Sequence, residues 1–189
     1  MSRVVFYTAT TLDGFLADPD DSLDWLMRQE QDHQGALNYE EFIAGIGALV
    51  MGSTTYEWVR DNLERSGEAW PYELPTWVMS SRDLPAVEGA DLRFARGDVR
   101  AVHAAMLEAV GGPAGKDLWV VGGGDLAGQF ADAGLLDEVV VYVAPVVLGA
   151  GRPLLPRRLD LELLEATQNK AFVAARYRVL GPLAEDRPA

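Results

Sequence analysis

The feature that most constrains this 189-residue chain is a series of short apolar runs, each ending in glycine or in small hydroxylated residues. Residues 4–9, 48–51, 76–79 and 118–121 are rich in β-branched and aromatic side chains and show no polar alternation. That pattern marks strands covered on both faces. The intervals between them carry helix signals. Thr54 and Glu57 fit a capping box at the start of a helix after residue 52. Asp98 is placed to cap a helix that runs through Ala109 and stops at Gly111-Gly112-Pro113. A further helix is predicted from Asp125 to about Ala133, with the Asp125 carboxylate turned onto its own N–H groups as a cap.

Residues 23–42 read as a loop with one or two helices, anchored by Trp25, Leu26, Leu37 and Phe42, and residues 64–75 as a second loop. Residues 137–147 form a long apolar run, broken by Gly149-Ala150-Gly151. Residues 159–179 alternate like a strand pair with a turn near Asn169-Lys170. Strands thus alternate with helices early and pair directly late. The expected architecture is one α/β domain over residues 1–180. It has a mixed, mostly parallel central sheet, an antiparallel C-terminal edge and helices on both faces. Residues 181–189 are expected as a frayed tail. A chain of this length buries roughly two thirds of its unfolded surface.

Charge and composition narrow the function. A net charge of −13 repels nucleic acid and anionic lipid, so neither is an expected partner. A phosphate-bearing ligand would have to be gripped locally, by backbone N–H groups or one or two cations. The absence of cysteine excludes disulfides, thiolate catalysis and zinc–cysteine sites. The two histidines, His33 and His103, lie far apart and suggest neither catalysis nor a metal site. No stretch approaches the roughly 18 apolar residues of a membrane span. The first residues do not read as a signal peptide, and the expected location is the cytoplasm.

Three strand ends share one design: Met51-Gly52-Ser53-Thr54-Thr55, Met79-Ser80-Ser81-Arg82 and Val121-Gly122-Gly123-Gly124-Asp125. In open α/β sheets ligands sit outside the carboxyl ends of the strands. Helix N-termini carry unpaired N–H groups and about half a positive charge, which suits phosphate. Three such ends on one rim would cradle a dinucleotide without a basic surface. Residues 122–127 also fit the Rossmann pattern G-x-G-x-x-A, but no acidic residue ends the following strand, and the match lies late in the chain. The ordinary Rossmann reading is rejected.

The chain from about residue 4 to 179 resembles the dihydrofolate reductase superfamily, in particular the branch that includes the C-terminal reductase domain of bifunctional riboflavin-pathway enzymes. Six segments in that order carry the resemblance: residues 11–17 (TLDGFLA), 49–57 (LVMGSTTYE), 78–82 (VMSSR), 118–124 (LWVVGGG), 137–139 (DEV) and 147–151 (VLGAG). It implies a dihydrofolate reductase-like three-layer fold and an NADPH-dependent reductase passing a hydride to a small pterin- or pyrimidine-like heterocycle.

It also implies cofactor contacts from Ala9 at the nicotinamide and from Gly52, Ser53, Thr54 and Thr55 at the pyrophosphate. Ser80, Ser81 and Arg82 would receive the adenosine ribose and its 2′-phosphate, and Gly122, Gly123, Gly124, Asp125 and Leu126 would form the turn under the pyrophosphate. On the substrate side the candidates are the carboxylates Asp13 and Glu41, or its neighbour Glu40, for catalysis, with Trp25, Phe42 and Tyr56 as pocket walls and Tyr142 on a strand that turns its hydroxyl to the substrate. Asp13 before Gly14 is equally a turn former, and aromatic walls are equally core. Phe15 stands where the riboflavin branch has a lysine, which argues against the riboflavin intermediate itself as substrate. The resemblance makes a homodimer plausible. Two other readings stay open: a dinucleotide-binding module without turnover, and a reductase of the same fold using another hydride carrier.

Overall fold

Alternation along the first strand decides the layers. In the computed structural model, which describes residues 1–187, β1 (Val4–Thr11) turns Val4 and Phe6 to one face of a sheet and Val5 and Tyr7 to the other. The remaining strands are β2 (Phe15–Ala17), β3 (Ile46–Gly52), β4 (Thr76–Met79), β5 (Leu92–Ala95), β6 (Asp117–Gly122), β7 (Glu138–Ala144), β8 (Arg152–Pro153), β9 (Leu159–Asn169) and β10 (Phe172–Pro182). The helices are α1 (Asp24–Met27), α2 (Tyr39–Ala44), α3 (Ser53–Ser66), α4 (Val99–Ala109) and α5 (Gly124–Asp132).

The main sheet has eight strands in the order β5-β4-β3-β6-β1-β7-β10-β9, and β2 pairs β8 in a separate ribbon. Strands β5 through β7 run parallel, while β10 and β9 add an antiparallel edge. This is the mixed sheet the sequence predicts. Helices α4 and α5 cover one face through Val102, Met106, Leu126 and Phe130. The other face carries α3 through Tyr56 and an aromatic cluster in which Tyr7 stacks on Phe42 at 4.3 Å. Phe130 is fully buried, and truncating such a ring to alanine costs about 3–5 kcal/mol.

Local chemistry sets most helix ends. The Asp98 side chain accepts from the Arg100 N–H and caps α4. Gly67, with φ 73°, closes α3 in the left-handed conformation, its N–H reaching the Leu63 carbonyl. Two expected caps do not form. Helix α3 begins at Ser53 with Gly52 as N-cap and no side-chain cap, because the β3 ladder runs through Gly52 and leaves Thr54 inside the first turn. The Glu57 carboxylate pairs with Arg82 instead. Helix α5 likewise starts behind Gly123, and Asp125 turns to Gln129 and Arg157.

Residues 181–187 are not a frayed tail. β10 continues through Pro182, a 3₁₀ turn follows at Ala184–Asp186, and Arg158–Asp186 and Arg187–Asp160 ion pairs tie it to the β9 edge. Residues 188–189 of the expected tail lie outside the described residues. The sequence pattern does not predict strand β5. It is a four-residue edge strand with Arg93 and Phe94 exposed, so it carries no buried run. Among the described residues no helix is long and apolar enough to cross a membrane.

Candidate functional site

Parallel strands deliver their carboxyl ends to one rim. Because β3 and β6 are neighbours, Gly52 and Gly122 meet there: a Cβ built on Gly52 would lie 3.8 Å from the Gly122 carbonyl. Thr55 leans over the junction, and a Cβ on Gly122 would come within 3.0 Å of its hydroxyl oxygen. Along the rim runs a cleft of about 780 Å³. Ala9, Gly52, Ser53, Thr54, Thr55, Ser80, Ser81, Gly122, Gly123, Gly124, Asp125 and Leu126 all line it. The three strand-end segments therefore converge, as the sequence argument requires.

The electrostatics of the cleft come from backbone. Neither α3 nor α5 has a side-chain cap, so the first-turn N–H groups of both helices open on the same space. Gly124 serves a second purpose. A Cβ there would sit 2.3 Å from the Pro153 carbonyl oxygen and 2.4 Å from that of Leu154, so only glycine lets β8 lie against the first turn of α5. The Asp125 carboxylate is held below its ordinary range by hydrogen bonds from Gln129 and Arg157, and both partners draw it away from the helix amides.

Arg82 is not at the cleft. Its guanidinium pairs with both carboxylate oxygens of Glu57, one turn into α3. The Ser80 hydroxyl is also engaged, accepting from the Arg82 N–H and donating to the Arg82 carbonyl. The guanidinium that lines this end of the cleft is Arg96, at the end of β5 beside Gly97. It pairs with Asp83, which is wholly exposed. An ion pair of that kind is weak and free to exchange.

The substrate-side candidates lie elsewhere. Asp13 is exposed and outside the cleft. It accepts from the Thr11 hydroxyl at 2.6 Å and from the Leu148 and Gly149 N–H groups, so it fastens the turn after β1 to the 146–149 loop. The Thr11 hydrogen bond, followed by those two amides, holds its carboxyl below the ordinary value. A depressed acid contributes stability above the usual carboxylate range and loses it as pH falls through the folded value. Asp13→Asn is therefore expected to lower Tm near neutral pH, with the gap to the wild type closing below about pH 4. Melting curves of both proteins across that range check it.

Glu41 is exposed on α2, where its N–H is capped by Asn38. Trp25, Phe42, Tyr56 and Tyr142 belong to the core beneath the sheet and do not line the cleft. The Tyr56 hydroxyl donates to the Pro85 carbonyl at 2.6 Å, and that of Tyr142 to the Ala36 carbonyl at 3.2 Å. Burial raises the pKa of both phenols. Their large apolar rings gain more from burial in a shared cluster than from an open wall.

The cleft is lined instead by Thr8, Leu16, Ala17, Leu23 and Leu26, together with Asp21 and Arg152. Leu16 and Ala17 fall within the 11–17 segment and Leu26 among the apolar anchors, but no pattern in the sequence marks them as cleft lining. Trp58 lines the cleft from α3, and its spacing of four from Thr54 places both on one helix face.

Comparison with known proteins now bears on this geometry. The family model of the RibD C-terminal domain matches residues 70–174, more than half of the chain. The chain belongs to the RibD C-terminal domain family. An uncharacterized protein of Bacillus subtilis, YwjB, is 30% identical over 170 residues, covering 90% of this chain and 92% of YwjB. A putative riboflavin biosynthesis protein from Shewanella sp. PV-4 superposes with a TM-score of 0.76 at 25% identity, covering 94% of this chain and 98% of that one.

The bifunctional diaminohydroxyphosphoribosylaminopyrimidine deaminase/5-amino-6-(5-phosphoribosylamino)uracil reductase of Thermotoga maritima shares the fold, with a TM-score of 0.61 at 15% identity. This chain covers 56% of that protein, and the alignment takes in 94% of this chain. The stretch matched to the RibD family takes in two of the three strand ends at the cleft, those at Ser80 and Gly122.

Proposed function

We propose that this chain is an NADPH-dependent reductase of a small pyrimidine-like heterocycle. One observation carries the reading: two helices without side-chain caps, α3 and α5, open their N-termini on one glycine-lined cleft. On a chain of net charge −13, whose overall field repels anions, such a place is a local device that suits a pyrophosphate. The residues present fit the dinucleotide. A Cβ at Gly122 would crowd the Thr55 hydroxyl, and Gly52 and Gly123 present only backbone, so the floor of the cradle is free of side chains.

The N–H groups of Ser53, Thr54 and Thr55, with those of Gly124, Asp125 and Leu126, hold the pyrophosphate. Ser81 and Arg96 take the adenosine end, where Arg96 exchanges its exposed partner Asp83 for a 2′-phosphate. Thr8 and Ala9 bound the reacting end, and Leu16, Ala17, Leu23 and Leu26 exclude water from it. When bound, the reduced nicotinamide supplies the hydride. Among the described residues the lining holds no histidine, tyrosine, lysine or glutamate, and its two carboxylates are engaged, Asp21 by Arg152 and Asp125 by Gln129 and Arg157, so solvent delivers the proton that completes reduction.

Melting the protein with saturating NADPH tests the reading. At about 100 times the dissociation constant the ligand adds near 2.7 kcal/mol, roughly 5–10 °C for a chain of this size. No shift counts against it. Arg96→Ala is expected to weaken NADPH about tenfold and NADH little, whereas Arg82→Ala leaves both nearly unchanged; titrations of each variant with both dinucleotides decide. A binding module without turnover is the second reading, favoured by the placement of both candidate carboxylates, Asp13 and Glu41, outside the cleft. NADPH binding without oxidation across a panel of pyrimidines and pterins would select it.

A further inference from the structure

An ion pair lines the cleft on its β2–β8 side. Arg152 in β8 is in register with Ala17 of β2, and its Nε and Nη2 donate to the two carboxylate oxygens of Asp21 at 2.6 and 2.9 Å. The turn before it is built to present that carboxylate. Asp18 Oδ1 accepts from the N–H groups of Asp20 and Ser22, the Asp18 carbonyl accepts from the Asp21 N–H, and Asp21 itself has φ 63°. Aspartate tolerates that left-handed conformation better than most residues. Both members of the pair line the cleft beside Leu16, Ala17, Leu23 and Leu26.

The charged residues lining the whole cleft are Asp21, Arg96, Asp125 and Arg152. Arg96 belongs to the β5 end, four strands away from β1 in the sheet order, a distance of roughly 19 Å at the usual strand spacing. Asp125 is already held by Arg157 and Gln129. On the β2–β8 side of the cleft the local charge is therefore that of the Asp21–Arg152 pair, which sums to zero. A phosphate dianion seated there would approach a carboxylate as closely as a guanidinium. Asp21 is held by its turn and about two-thirds covered, unlike the wholly exposed Asp83 beside Arg96, so it stays with Arg152 and leaves the phosphate no net positive charge. The Arg152 Nη1 makes no hydrogen bond to the described residues, and it suits a neutral carbonyl oxygen.

Building on the reductase reading, we infer that the reacting end takes an uncharged, carbonyl-bearing heterocycle and rejects its phosphate ester, with the Asp21–Arg152 pair setting the choice. The substrate class thus differs from the phosphorylated compound in the Thermotoga relative's name. Phe15, beyond the same wall and outside the cleft lining, supplies no cation either.

Calorimetric titration tests this with two probes: 5-amino-6-(5-phosphoribosylamino)uracil and the same compound after removal of its phosphate. Oxidised NADP is first titrated alone and then kept saturating, so that binding is read without turnover. The dephosphorylated probe is expected to bind at least about tenfold tighter than the ester. Asp21→Asn, which leaves Arg152 unbalanced, is expected to move that ratio toward the ester by about fivefold or more.

An ester that binds the wild type as tightly or tighter overturns the inference, and so does an unmoved ratio in a folded Asp21→Asn. Binding of neither probe to the NADP-saturated protein also overturns it, while the reductase reading survives on the dinucleotide titration. Failure of that first titration removes the reductase reading and this inference together. The wild-type ratio decides even if the variant does not fold.

Discussion

Ser53→Asp should weaken NADPH binding about a hundredfold, since like charges brought together in a binding site cost several kcal/mol, and it should leave the protein at least as resistant to heat as before. The two effects have opposite signs because one physical feature underlies both. Ser53 is the first residue of α3, behind Gly52 and without any side-chain cap. An acidic group in the first turn of a helix interacts favourably with the helix dipole, by about 0.3–1 kcal/mol at an exposed position. The same group occupies the electrostatic place that the account gives to a pyrophosphate. A substitution that merely damaged the fold would lower Tm and affinity together. Parallel melting curves and NADPH titrations separate the cases.

Gly124→Ala is the substitution with the largest expected effect on stability. The new methyl would meet two backbone carbonyl oxygens, of Pro153 and Leu154, at 2.3 and 2.4 Å, and neither is the movable end of a side chain. Relief requires β8 to back away from α5. Overpacking of this kind costs about 3 kcal/mol, or about 10 °C of Tm in a domain of this size. Because β8 also carries Arg152, the cleft should lose its shape at the reacting end, and dinucleotide affinity should fall in the fraction that folds. Gly52→Ala is the control: its Cβ would meet only an ordinary contact at 3.8 Å, with φ −79°, and Tm should move by less than about 1 kcal/mol equivalent.

Part of this arrangement was legible in the sequence for a clear reason. Strands covered on both faces need apolar side chains at every position, so residues 48–51 and 118–121 stand out as uninterrupted runs. Their glycine and hydroxyl endings then mark the rim, and the structure brings those endings into one cleft. The late hairpin was legible through alternation and the Asn169-Lys170 turn, where Lys170 has φ 51°.

What the sequence hid depends on distant pairing. Arg82 reads as a phosphate ligand until α3 is seen to set Glu57 beside it, twenty-five positions earlier in the chain. Asp13 reads as a catalytic acid until two amides, at Leu148 and Gly149, arrive from across the fold to take its carboxylate. Arg96, which lines the cleft, is not legible in the sequence because β5, which delivers it, is too short and too exposed to announce itself. The aromatic residues of the 23–42 segment read as a pocket wall, but Phe42 stacks on Tyr7 and Trp25 is buried in the same core cluster. Small aliphatic residues, Leu16, Leu23 and Leu26, line the cleft in their place.

Amide hydrogen exchange with and without saturating NADPH tests the gripping of a dinucleotide by helix-start amides most directly. Slower exchange concentrated at residues 53–55 and 124–126, with weaker protection near Ser81 and Arg96, is the predicted result. Unchanged exchange at both helix starts under saturating ligand, or protection confined to another surface, would contradict it.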